Sequence, residues 1–78
     1  MIRILIKSAL LEVDGRVYPA RFFELHTARG SRRFSAEILL APNDRIILDD
    51  DSIVNLEARA LRLVPATVQS RSLTRPAA

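Results

Sequence analysis

Cysteine and tryptophan are absent from this 78-residue chain, glycine occurs twice, and histidine, lysine and tyrosine once each. Without cysteine there are no disulfides and no thiolate metal ligands, so the usual staples of a domain this small are missing. Stability has to come from packing or from a partner subunit. Gly15 and Gly30 are too few for a glycine-rich phosphate loop, and no nucleophile elbow or paired-carboxylate pocket is recognisable. His26 stands alone, with no serine or carboxylate that the sequence pairs with it. No apolar run approaches the roughly 18 residues needed to cross a bilayer. The apolar stretch from Met1 to Leu11 is cut by Lys7 and lacks a small-residue cleavage pattern before Glu12, so it is read as a strand. These absences argue against an enzyme, a cofactor, a bound metal and a membrane protein, and lead to the expectation of a cytoplasmic chain.

What remains is one domain's worth of ordinary globular sequence, 49% hydrophobic and 27% charged. Charge is segregated along it. Seven cations and three acids put residues 1–36 at +4, six acids and one arginine put 37–58 at −5, and four arginines put 59–78 at +4. Such blocks either attract an anionic partner or neutralise one another in the fold.

The apolar period changes at Asp49-Asp50-Asp51, from every second residue to every third or fourth. Ile2, Ile4 and Ile6 alternate with Arg3 and Lys7. Leu11 and Val13 continue on odd numbers, which requires a bulge near Ser8-Ala9. Asp14-Gly15 suits a two-residue type I′ hairpin. Pro19 restricts the return strand to an edge, a bulge or an end there. Phe23 and Leu25 then share one side, with Phe22, Glu24 and His26 on the other. After a turn at Gly30-Ser31, Phe34, Ala36, Ile38 and Leu40 alternate cleanly. Pro42-Asn43-Asp44 turns the chain again, toward a short strand from Arg45 to Leu48.

Beyond the aspartates, Ile53, Leu56, Ala60, Leu63 and Val64 lie on one helical arc. Asp50 or Asp51 is the expected N-cap, and Pro65 the expected stop, for a helix of about 52–63. Glu57 intrudes on the arc and calls for a partner. The alternative of an extended 53–60 competes with the helix. The reading is therefore an α+β fold: a meander of four or five antiparallel strands packed against one C-terminal helix. Residues 1–65 form the domain and 66–78 a flexible tail. The expected core is Ile4, Ile6, Phe23, Leu25, Phe34, Ile38, Ile46, Ile53, Leu56, Ala60 and Leu63.

For function, the expectation is a small non-enzymatic protein-interaction module, self-associating as a homodimer, with contacts at a sheet edge or at Phe22. The alternative is a basic domain that binds nucleic acid or an anionic ligand such as a nucleotide through Arg29, Arg32 and Arg33, whose guanidinium forks suit phosphate. The spacing Arg29-x-x-x-Arg33 resembles the R-x-x-x-R motif of PilZ domains, and Asp50-Asp51-Ser52 resembles part of their D-x-S-x-x-G element. That resemblance implies binding of a cyclic dinucleotide. Asn55 stands where the glycine belongs, and a terminal helix departs from such a barrel.

Overall fold

Asp14 and Gly15 both adopt positive φ, 52° and 78°, and Val13 pairs directly with Arg16. This is the mirror-image turn whose twist matches that of the strands it joins. It connects β1 (Ile2–Val13) to β2 (Arg16–His26). A loop at 27–31 follows, closed by Gly30 N–H donating to the Thr27 carbonyl and by the Thr27 hydroxyl accepting from Ser31 N–H. It leads to β3 (Arg32–Ala41), and Pro42-Asn43 leads to β4 (Asp44–Asp50). Asn43 does not take positive φ, and the register shift between Leu39 and Ala41 absorbs the resulting mismatch of twist.

The computed structural model describes residues 2–74. Its four strands form one open antiparallel sheet in sequence order, with α1 (Ile53–Thr74) across one face. The expected meander and terminal helix are both present, and residues 53–63 are helical rather than extended.

Three local expectations are corrected. The bulge in β1 falls between Leu5 and Lys7, at Ile6, rather than near Ser8-Ala9. The N-cap is Ser52: its hydroxyl accepts from Asn55 N–H at 3.3 Å, while the Asp50 carboxylate accepts from Ser52 N–H at 3.0 Å. Finally, α1 does not stop at Pro65 but runs on to Thr74, so the proposed tail begins inside the helix. Residues 75–78 lie outside the described residues.

Proline in a helix interior costs about 3 kcal/mol and leaves the carbonyl four residues earlier unbonded. Here Leu61 and Pro65 are both exposed, so the break falls on the solvent side of the helix. Packing carries the helix past the break. Val64 is buried, Val68 packs against the core, and Arg71 Nε lies 2.6 Å from Asp44 Oδ2.

The core forms where the line Leu56, Ala60, Val64, four residues apart, meets Tyr18, Ala20, Phe22, Ala36, Ile38 and Leu48. Ala20, Ala36 and Ala60 carry only methyl groups, which lets helix and sheet approach closely. The phase of β2 is thus opposite to expectation. Phe22 is under the helix, 3% exposed, while Phe23 lies on the other face and is only 5% exposed because Arg3 and Arg21 cover its ring. Leu63 points outward, and Val64 takes its place. Ile4 and Ile6, expected inside, are 47% and 44% exposed. Lys7 pairs with Glu57, one turn into α1, so Ile4 and Ile2 project beyond the start of the helix that would cover them.

Two outcomes follow from this packing. Leu56→Ala should lower the unfolding free energy by about 2–5 kcal/mol, because the side chain is fully enclosed. Pro65→Ala should instead stabilise the chain by roughly 1–3 kcal/mol by restoring the helical hydrogen bond. Urea titration reads both, and a destabilised P65A would show that the ring itself is needed.

Candidate interaction surface

On the face away from α1, register sets charged side chains side by side. Arg21 is directly opposite Glu37, and Arg45 and Arg3 reach the same carboxylate from flanking strands. The distances are 3.0 Å from Arg21, 3.3 Å from Arg45 and 3.8 Å from Arg3. Donation from Arg21 is the largest influence on Glu37 and, with the nearby guanidinium charges, holds its carboxyl below the ordinary value despite partial burial. Arg3 also stacks 4.0 Å from the Phe23 ring centre. Arg33 joins this face and bonds Asp49 at 3.2 Å.

The arginine loop does not converge into one site. Arg32 turns to the helix side of the sheet and donates to Glu24 at 2.5 Å. His26 Nε2 is 3.2 Å from that same oxygen, and donation from Arg32 is the main reason the Glu24 carboxyl lies low. Arg33 is engaged on the opposite face. Only Arg29, at the loop tip, has no carboxylate within ion-pair distance among the described residues. Two of the three expected anion ligands are therefore occupied by the chain's own acids. The aspartate triplet is likewise in use: Asp50 takes Ser52 N–H, which is the largest reason its carboxyl lies low, and Arg59 binds both the Asp49 carbonyl, at 2.8 Å, and Asp50. Phe22, expected as a partner contact, is enclosed in the core.

The two edges of the sheet differ in kind. β4 is seven residues long and carries Asp44, Arg45, Asp49 and Asp50, with Ile47 as its one exposed large apolar side chain. Short length and charge are how sheets discourage edge pairing. β1 is twelve residues long, has neither proline nor glycine, and exposes Ile2, Ile4, Leu5, Ile6 and Leu10, the last at 72%. Among the described residues no strand lies beside its outward amides and carbonyls. Lys7, the residue best placed to guard it, is drawn inward to Glu57 and the Phe22 ring. Sequence reasoning found the β1 segment but placed Ile4 and Ile6 in the core. The signal it lacked was the position of the helix start relative to them.

No family model, curated protein or solved structure matches this chain. Among the described residues no helix is long and apolar enough to cross a membrane.

The Glu37 cluster has a pH signature. A carboxyl held low in the folded state contributes stability that is complete above its unfolded pKa, near the ordinary 4.5, and is lost as pH falls through the folded value. Urea midpoints measured downward from about pH 5 should fall less steeply for Glu37→Gln than for the parent chain. Parallel curves would show that Glu37 carries no such linkage.

Proposed function

We propose that this chain is a small non-enzymatic protein-interaction module, acting in the cytoplasm, that associates with itself by strand addition at the outer edge of β1. The observation that carries the reading is the contrast between edges: β4 is short and mostly charged, while β1 is long and open, with exposed large apolar side chains outnumbering Arg3, Lys7 and Glu12. Strand addition supplies main-chain hydrogen bonds for affinity and side-chain contacts for selectivity. It also suits a domain of this size without disulfides, since association stabilises the folded state by mass action.

Anion or nucleic-acid binding at Arg29, Arg32 and Arg33 has less support, because the last two are already paired on opposite faces. Stacking of bases would require exposed aromatic rings, and Phe22 and Phe23 are both covered.

Sedimentation velocity over roughly a hundredfold range of concentration tests the reading. The parent chain should pass from monomer to dimer. Leu10→Lys, which places a charge on the open edge at a site that does not support the fold, should weaken association by about tenfold or more. A parent chain that stays monomeric throughout would end the proposal.

A further inference from the structure

The bulge at Ile6 gives β1 two halves of opposite phase. Before it, Ile2 and Ile4 lie on the helix side, opposite His26 and Glu24, while Arg3 and Leu5 lie on the open side, opposite Leu25 and Phe23. After it, Ala9, Leu11 and Val13 are on the helix side, and Ser8, Leu10 and Glu12 on the open side. In an antiparallel pair, residues directly opposite share a face. A strand of uniform phase pairs with its own copy only where the two residue numbers sum to an even value. For this strand, with its first half against the partner's second half, the sum must be odd.

We infer that the occupant of the β1 edge is β1 of a second copy of this chain, antiparallel, in the register that sets Arg3 opposite Glu12 of the partner subunit. The inference rests on the self-association proposed above and names its geometry. In that register Ile2 meets Val13, Ile4 meets Leu11 and Leu5 meets Leu10, each apolar against apolar on the matching face, and the pair Arg3 and Glu12 occurs twice by symmetry. Shifting by two residues in one direction sets Arg3 against Leu10 and Leu5 against Ser8. Shifting in the other sets Leu5 against Glu12 and carries Arg3 past the end of the strand, opposite Asp14 of the partner's turn. Only the first register pairs opposite charges within the strands themselves.

The charges on β1 fit this arrangement. Glu12 has no ion-pair partner among the described residues, and Arg3 is the most distant of the three guanidiniums around Glu37, which Arg21 and Arg45 approach more closely. Each protomer therefore presents one spare anion and, near the other end of the same edge, one cation that stacks on Phe23 but whose carboxylate is already served by two nearer guanidiniums. The two-fold axis of such a pair stands perpendicular to the sheet, so both helices lie on one side of a continuous eight-stranded layer. A groove of about 150 Å³ runs between β1 and α1, lined in part by Leu11, Ala60, Leu61 and Val64. It borders the place where Ile4 of the second copy enters. The two bulges flank the axis, so the hydrogen-bonded ladder forms as two outer segments around an interrupted centre.

Disulfide trapping reads the register, because the chain has no cysteine of its own. In Leu5→Cys/Leu10→Cys the two thiols on one strand are about 17 Å apart and cannot close on each other. Mild oxidation should convert this variant almost entirely to covalent dimer, while Leu5→Cys alone, Leu10→Cys alone and Leu5→Cys/Ser8→Cys stay mostly monomeric. Independently, Glu12→Arg, at a side chain with no ion pair within its own protomer among the described residues, should weaken dimerisation by about tenfold. Dimers that cross-link in one of the control variants instead, or a Glu12→Arg chain that dimerises as tightly as the parent, would overturn the register while leaving self-association standing. A parent chain with no dimer in sedimentation would overturn both.

Discussion

One helix is narrower than the sheet it covers, and most of this structure follows from that mismatch. A helix with its side chains is about 10 Å across, whereas four strands at roughly 4.8 Å spacing make a layer about twice as wide. The line Leu56, Ala60, Val64 therefore seals only a band of the sheet, centred on Ala36 and Ile38. The three alanines in that band draw the layers together, and the helix touches each edge strand, through Glu57 to Lys7 and Arg71 to Asp44, without covering either along its length. Apolar residues of β1 outside the band, Ile2 and Ile4 above all, stay in solvent although they lie on the covered side of the sheet.

The uncovered face meets the same constraint differently. With no second helix, its central aromatic ring is shielded by charged side chains instead: the arginines that stack on Phe23 converge on Glu37. Guanidinium groups suit this position because they lie flat on an aromatic ring and still present donors at their edge. The basic first block of the sequence is thus neutralised in part by Glu24 of its own block and in part by Glu37 and Asp49 of the acidic one. Charge segregation along the chain becomes charge pairing across strands, and this consumes Arg32 and Arg33, the residues that a linear reading favours as anion ligands.

Much of this was legible in the sequence wherever a signal was local. Asp14-Gly15 specifies its own turn, Ala36 and Ile38 alternate without interruption, and the aspartate run marks the passage from strand to helix. Glu57, an acid on an apolar arc, announced the need for a partner, which is Lys7. The failures share a cause. Phe22 and Phe23 are adjacent large apolar residues, and alternation alone cannot say which one faces the helix; that is decided by Tyr18 and Ala20 on the same face of the strand and by the pairing of Ala20 with Ile38 on β3. Pro65 is a local stop signal overridden by tertiary packing of Val64 and Val68. The bulge belongs to the same class: sequence required a change of phase in β1 but could not say at which residue, because Ile6, Ser8 and Ala9 all tolerate it.

The position of that bulge ties the fold to its proposed use. A uniform β1 would keep either its even or its odd side chains under the helix along its whole length, and it would pair with a copy of itself in several registers of similar quality, each slip of two residues preserving the faces. Reversing phase at Ile6 brings Lys7 inward to Glu57, which removes the cation that would otherwise guard the edge. The same reversal gives pairing of one half with the other a different parity from pairing of either half with its own copy. The two phases restrict pairing of one half with the other to registers two residues apart, and among those the placing of Arg3 and Glu12 favours one, which separates a specific interface from the indiscriminate pairing that exposed strands otherwise invite. Selectivity of that kind comes from one extra residue in the ladder, placed near the middle of the strand, with an arginine near one end and a glutamate near the other.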